Sequence, residues 1–416
     1  MKDAELYVFD DDVARGWQPF ALTRPIGELL LGAHTFRARA EHVFGVRCAG
    51  HIAASELRGF ADHDSPAVVD PATIADDRPR IFISSRFVAD WSTGVPDVTA
   101  AAVLHADGDV VGCIVPAGAN TPDDAWFATP DEAPHALADA TVAKLDGRTL
   151  RQVWDLVASN PEQIRLDHDA ARVRDGIADA VHDGGFDAIG HRAGMLRLGA
   201  RVVIEPNVVF DFSHGPIWLD DDVTVRAFTR LTGPAYVGPR STLLGGPYDA
   251  VSIGPVCKVH GELEESVILG YSNKAHNGFL GHAYLGRWVN LGAMTTNSDL
   301  KNNYGTIRMW TPGGDVDTGL MKLGCLLGDH AKTGIGALLN TCTVIGAGSN
   351  LFGAAMPPKY VPPFSWGSGD DLVAYDADRF IGVARTVMQR RDLDLDENIE
   401  CVLREAWRIG RAGTAA

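Results

Sequence analysis

The chain predicts an α/β sheet domain, then a left-handed parallel β-helix, then a short helical segment. Three features carry that prediction: apolar runs alternating with helical patterns over residues 1–185, aliphatic side chains returning at six-residue steps over 186–366, and 3.6-residue periodicity over 367–416. A chain of 416 residues exceeds one ordinary core, so two or three domains are expected.

In the first region ELYVF (Glu5–Phe9), PRIFIS (Pro79–Ser84) and VVGCIVP (Val110–Pro116) read as buried strands. TLRQVWDLVASN reads as a helix with Leu150, Val153, Trp154 and Val157 on one face. The acids Asp10, Asp11 and Asp12 follow the first strand, at the carboxyl edge where open α/β sheets place ligands; a solvated turn is the other reading.

The middle region follows a different rule. Leu198, Ile204 and Phe210 are six apart, as are Leu219, Val225, Leu231, Val237 and Leu243, then Phe279, Leu285 and Leu291, and later Leu339, Ile345 and Leu351 after Leu327 and Thr333. Such a repeat makes a triangular solenoid with the aliphatic pointing into the prism, and left-handed coils of this type are the exception to the right-handed crossover rule. The repeat breaks between Thr295 and about Leu320, where a loop is expected. After the proline-rich MPPKYVPPFSWGSGDD, Phe380, Val383, Ala384, Val387 and Met388 lie on one helix face, and Ile399, Val402, Leu403, Ala406 and Trp407 on another. The intervening QRRDLDLDEN reads as a solvated charged turn.

Composition excludes some functions. A net charge of -17 argues against nucleic acid as the main partner, because phosphate-backbone binding needs a basic face, but leaves room for a small phosphorylated ligand. No apolar run approaches the ~18 residues needed to span a bilayer, and MKDAELYVFDDD lacks signal-peptide architecture, so no membrane partner and a cytoplasmic location are expected. The six cysteines show no metal-ligand spacing and read as reduced thiols.

His276 stands in KAHNGFLG, where glycine lets backbone approach a ligand and leaves the imidazole uncovered. Imidazole, with an ordinary pKa near ~6.5, suits a general base at neutral pH. A structural histidine is the plainer alternative. His260, His282 and His330 also lie on the solenoid, where three histidines from adjacent prisms can form a zinc site, although their spacing does not demand one. Trp288, Trp310 and Trp366 read as covers for coil edges.

HNGFLG followed by NLGA resembles the catalytic coil of the bifunctional bacterial N-acetylglucosamine-1-phosphate uridylyltransferase/glucosamine-1-phosphate acetyltransferases, with pattern His-x-x-Tyr-Leu-Gly then Asn-Ile-Gly-Ala-Gly-Thr, and the likeness extends to SNKA before the histidine. The resemblance implies that His276 takes a proton from a sugar amine and Asn290 orients it. It also implies substrate contacts from Lys274, Asn277, Phe279 (a tyrosine in the family), Asn297 and Lys301, and acetyl-CoA contacts from Gly292, Ala293 and Lys332, the last in GDHAKTGIG. Across the chain, PFALTRPIGELLLGAHTFRARAE, VWDLVASNPEQIRLD, GPVCKVHGELEESVILGYSNKAHNGFLG and PPFSWG resemble a divergent branch of that family. This implies a nucleotidyltransferase-like first domain, a sugar phosphate or nucleotide sugar as ligand, and a homotrimer with the site between adjacent prisms.

The first domain departs from the family. The glycine-rich Gly-x-Gly-Thr-Arg turn that cradles a triphosphate is missing; Gly16 stands with Arg15 and Arg24 nearby, which read as phosphate contacts or as salt-bridge residues. Ser84 and Ser85 stand where the family commonly has a magnesium-binding aspartate, leaving Asp10 and Asp12 as candidates for Mg²⁺. The functional expectation is acetyl-CoA-dependent N-acetylation of an amino-sugar phosphate or nucleotide-linked amino sugar; a non-catalytic sugar-nucleotide sensor on the same fold is the alternative.

Overall fold

The computed structural model describes residues 4–412 except 61, 63, 132, 133, 135, 136, 138, 176–184 and 192; the expected boundary at 185/186 adjoins residues outside those described. Packing divides the chain into one unit of Met1–Leu29, His34–Val153 and Leu395–Ala406, and a second of Leu30–Ala33, Trp154–Asp394 and Trp407–Ala416.

The first unit is built on a six-stranded mixed sheet in the order Cys48–Ile52, Glu5–Phe9, Arg80–Ser84, Asp109–Val115, Ala102–Ala106, Thr141–Lys144. Glu5–Phe9 runs parallel to both neighbours. Its apolar run follows, because both faces are covered: Leu6 and Val8 pack with Ile81 and Ile83, while Tyr7 and Phe9 pack with Phe82 and Cys113. The helix Phe36–Phe44 starts where the Thr35 side chain accepts from the Ala38 amide and stops at Gly45, whose φ of 65° suits glycine.

The helix expected over 149–160 is displaced. Gly147–Thr149 is a strand, Asp155–Ala158 a single turn, and the long helix is Asn160–Asp175. Pro161 explains the shift, since a proline is accommodated in a first turn but breaks a helix interior. Leu150, Val153, Trp154 and Val157 are buried all the same.

The second unit is a β-solenoid of about 10 turns followed by helix. Short parallel strands stack into a six-stranded face, a nine-stranded face and a third that runs to Asn273–Lys274, passes through a single bridge at Asn290 and resumes at Lys332–Thr333. Val225, Leu231, Val237, Leu243, Leu285 and Leu291 fill the prism as the period predicts. Phe279 does not: Leu280 takes the inward place opposite Leu263, and Phe279 pairs with Glu262. The phase slips because the step from Leu280 to Leu285 is five positions instead of six, with the corner turned by His282 at φ 49°. The expected excursion from the coil begins after Thr296–Asn297, which still pairs with Leu338–Leu339. It folds as the hairpin Arg308–Thr311 with Gly314–Asp317 and is closed at its base by the Leu323 amide on the Asp299 carbonyl at 2.9 Å.

Two C-terminal helices follow, Ala377–Gln389 and Glu397–Ala412. Phe380 of the first packs on Phe364, ring centroids 5.0 Å apart. Val402 of the second joins Leu57, Phe60 and Val68. Among the described residues no helix is long and apolar enough to cross a membrane, and five of the six free cysteines are buried.

Candidate functional site

The third face of the solenoid carries a column of polar side chains. Register stacks Lys258, Asn273, Asn290, Lys332 and Asn350 in successive coils, alternating along their strands with the inward positions Val259, Lys274, Leu291, Thr333 and Leu351. Two inward positions break the apolar series, Thr333 and the charged Lys274. Lys274 is 2% exposed, and its ammonium donates to the carbonyls of His260 at 2.8 Å and His276 at 2.9 Å. Burial lowers its pKa to about 8. Lys274 therefore does not reach outward toward a ligand; it pins the backbone of the turn that presents His276.

That turn is tight. Gly278 has φ 134°, and a Cβ there would lie 2.0 Å from the Thr295 carbonyl oxygen, so the HNG segment needs its glycine. His276 and Asn277 are exposed on it. His276, Asn290, Gly292 and Ala293 line one cavity of about 390 Å³. Arg390 and Arg391, from the end of the Ala377–Gln389 helix, line it too, and Arg391 donates to the Asn273 side-chain oxygen at 2.8 Å. The QRR segment is thus part of the cavity wall rather than a merely solvated turn. An adjoining cavity of about 240 Å³ shares Asn273, Asn290, Arg390 and Arg391 and adds Lys332 and Trp288. Lys332 donates to the His330 carbonyl at 3.1 Å, and burial lowers its pKa to about 8.

Other expected contacts lie elsewhere. The Asn297 side chain is spent on backbone, accepting from the Gly281 amide and donating to the Gly281 carbonyl, each at 2.9 Å. Lys301 donates to the Thr306 carbonyl within the excursion. The amide of Phe279 donates to the Thr296 hydroxyl at 2.7 Å. Of the substrate residues implied by resemblance, neither Lys274, Asn277, Phe279, Asn297 nor Lys301 lines the His276 cavity.

The histidine trio does not form. Among the described residues the group that gathers three candidate metal donors is Glu264, Glu265 and His282, within 4.8 Å of one another. His282 Nδ1 is 2.8 Å from Asp299, and Lys322 donates to Glu264 at 2.8 Å, so two members of this group already have partners within the protein.

In the first unit the three consecutive acids diverge. Asp10 is buried, accepts from the Ile26 amide at 3.0 Å, and is pushed up to about 6 by burial. Asp11 caps the short helix Asp12–Arg15 and takes a bidentate contact from Arg86. Asp12 is exposed, 3.7 Å from Arg15. Asp10 and Asp12 therefore do not converge as a pair of magnesium ligands. Arg24 is buried and ion-paired with Asp62 at 3.1 Å. The PIGELLLG segment is held by Glu28, which accepts from the Ser65 hydroxyl at 2.9 Å and faces His51 Nε2 at 2.7 Å and Arg37. Burial opposes the charge on Glu28, but His51 and Arg37 hold its carboxyl well below the usual carboxylate range.

Residues 6–174 match a sequence model of the family described as sugar nucleotidyl transferase. The chain is 28% identical over 178 residues to the "Bifunctional protein GlmU" of Synechococcus elongatus, covering 41% of this chain and 34% of that protein. It is 27% identical over 159 residues to the "Bifunctional sugar-1-phosphate nucleotidylyltransferase/acetyltransferase" of Sulfurisphaera tokodaii, covering 37% of this chain and 38% of that one. The alignments thus span about a third of the length of these curated relatives. Among solved structures, the UDP-N-acetylglucosamine acyltransferase from Campylobacter jejuni aligns at 10% identity over 54% of this chain and 94% of that one, with a TM-score of 0.26. With a segment similar to sugar nucleotidyl transferases preceding a solenoid, the chain resembles, at a distance, the bifunctional GlmU proteins.

Proposed function

We propose that the solenoid unit transfers an acetyl group from acetyl-CoA to the amine of an amino-sugar phosphate or nucleotide-linked amino sugar. The observation that supports it most is the meeting of His276, Asn290, Gly292 and Ala293 around one cavity, although they are distributed over two coils. In this reading the amine nitrogen attacks the thioester carbonyl, the C–S bond breaks, and His276 moves the amine proton to the departing thiolate; Asn290 orients the amine. No covalent enzyme intermediate is required.

The first unit, in the same reading, binds a sugar nucleotide or sugar phosphate. Nucleotidyl transfer there would need Mg²⁺, which usually takes one or two carboxylates together with substrate phosphates. Asp11 is neutralised by Arg86 and Asp10 is held by the Ile26 amide, so the residues present do not fit a resident ion. That favours a binding role for this unit over catalysis.

Assembly as a homotrimer belongs to the same proposal. Phe228, Met294 and Ile335 are 79%, 57% and 79% exposed at turns of the solenoid, and Ile335 also lines the His276 cavity. Apolar side chains so exposed suit packing against a second prism beside the site.

The test is mass spectrometry of products after offering acetyl-CoA with glucosamine-1-phosphate, then UTP with N-acetylglucosamine-1-phosphate. Acetylated product in the first incubation is expected; none across a panel of amino-sugar phosphates and nucleotide-linked amino sugars would overturn the acetyltransfer reading.

A further inference from the structure

We propose that the turn after the Ala377–Gln389 helix is the anion-recognition element of the His276 cavity, where Arg390 and Arg391, with Lys258, hold a phosphate or pyrophosphate of the bound ligand. The proposal rests on the acetyltransfer reading only for the identity of that ligand.

The argument begins with charge. The protein carries a net charge of -17, yet the cavity that holds His276 is lined by Lys258, Arg390 and Arg391 and by no carboxylate. The adjoining cavity repeats the pattern, sharing both arginines, adding Lys332 and again including no acid. Asp392 and Asp394 follow the arginines in sequence but line neither cavity. Four cations thus surround two joined spaces in an otherwise acidic protein, an arrangement that repels itself unless an anion enters.

Geometry adds selectivity. Arg391 makes one side-chain contact of its own, to the neutral oxygen of Asn273, which fixes its guanidinium against the polar column. A guanidinium has five N–H donors, so one such bond leaves most of the fork available. Neither Arg390, Arg391 nor Lys258 is ion-paired with a described carboxylate. Paired, planar donors match phosphate oxygens two at a time. His276 on the same wall places that phosphate beside the proposed proton acceptor.

The phosphate can come from the amino-sugar acceptor or from coenzyme A, and the experiment separates the two. Binding is measured by calorimetry with glucosamine-1-phosphate against glucosamine, and with coenzyme A against pantetheine, for the wild type, the double variant Arg390→Gln/Arg391→Gln, the double variant Arg390→Lys/Arg391→Lys, and Lys258→Gln. The glutamine double variant should lose about ten- to a hundredfold in affinity for one phosphorylated ligand, and the ligand that loses identifies the source. The unphosphorylated partner of that ligand should be unaffected, and the lysine variant should recover part of the loss. Wild-type affinity for both phosphorylated ligands in the glutamine variant, folded by circular dichroism, would overturn the proposal; should that variant not fold, Lys258→Gln decides by the same criterion. If the wild type binds neither ligand but binds inorganic pyrophosphate with the same arginine dependence, the acetyltransfer reading falls and this proposal stands. No binding of any of these anions would sink it.

Discussion

Lys274→Met tests the most unusual feature of the solenoid, a lysine at an inward position of the prism. Burial lowers the Lys274 pKa from 10.5 to about 8. The sign follows from linkage: this base binds its proton less tightly folded than unfolded, so it costs stability below about 8 and the cost disappears as pH rises toward 10.5. The full difference amounts to about 3 kcal/mol, at about 1.4 kcal/mol for each tenfold change in proton affinity. Between pH 7 and pH 10 the wild type should therefore gain about 2.5 kcal/mol relative to a variant with no titrating group there. Two charge-assisted hydrogen bonds, to the His260 and His276 carbonyls, offset the burial at neutral pH. Urea unfolding of both proteins at pH 7 and pH 10 reads the difference directly, since every other titrating group is common to both. Parallel stability profiles would refute the buried, depressed ammonium. At neutral pH the variant should unfold within about 2 kcal/mol of the wild type, because the relieved burial and the two orphaned carbonyls oppose each other. Its kcat for acetyl transfer should nonetheless fall about tenfold or more, as the turn carrying His276 loses its anchor.

For the transfer itself, His276→Ala should lower kcat by about 10²–10⁴ with an unchanged circular dichroism spectrum, and Asn290→Ala should lower it less, in steady-state assays of thiol release. Gly278→Ala should destabilise by about 3 kcal/mol or more in urea melts, because its Cβ meets the Thr295 carbonyl at 2.0 Å, whereas Gly45→Ala, left-handed but with nothing within 4 Å, should cost about 1 kcal/mol. Light scattering at micromolar concentration should show three chains per particle, and a stable monomer would count against a site shared between prisms. In the first unit, sugar-1-phosphates with UTP or dTTP should bind without releasing pyrophosphate; robust magnesium-dependent release, abolished by EDTA, would show that Asp10 and Asp12 are brought together by the substrate.

The solenoid was legible in the sequence because its geometry leaves little choice. Three short strands per coil return an inward side chain about every six residues, and Val225 to Leu243 obey that period without a break. Where corners shorten, the period misleads by one residue, and Phe279 was assigned the place that Leu280 holds. The helix near residue 150 failed for a local reason: a shared apolar face says that residues are buried, and Leu150 to Val157 are, but a buried turn ahead of Pro161 satisfies the same pattern.

The site divides along the same line. His276, Asn290, Gly292 and Ala293 lie close in sequence and come together in space because adjacent coils stack them, so a motif sufficed to find them. Arg390 and Arg391 are far away in sequence, and a charged turn between two helices looks like any solvated loop until the chain folds back onto Asn273. Lys274 misled in the opposite direction, since a lysine two residues before a candidate base reads as a ligand contact, and only the inside-outside alternation of its strand turns it toward the carbonyls. Asp10, Asp11 and Asp12 show the limit most plainly. Adjacent carboxylates suggest a shared ion, but one goes to a backbone amide, one to a helix cap and an arginine, and one to solvent. Clustering in sequence therefore became clustering in space on the solenoid, where the fold stacks neighbouring coils, and did not at the end of a strand, where the chain turns each side chain in a different direction.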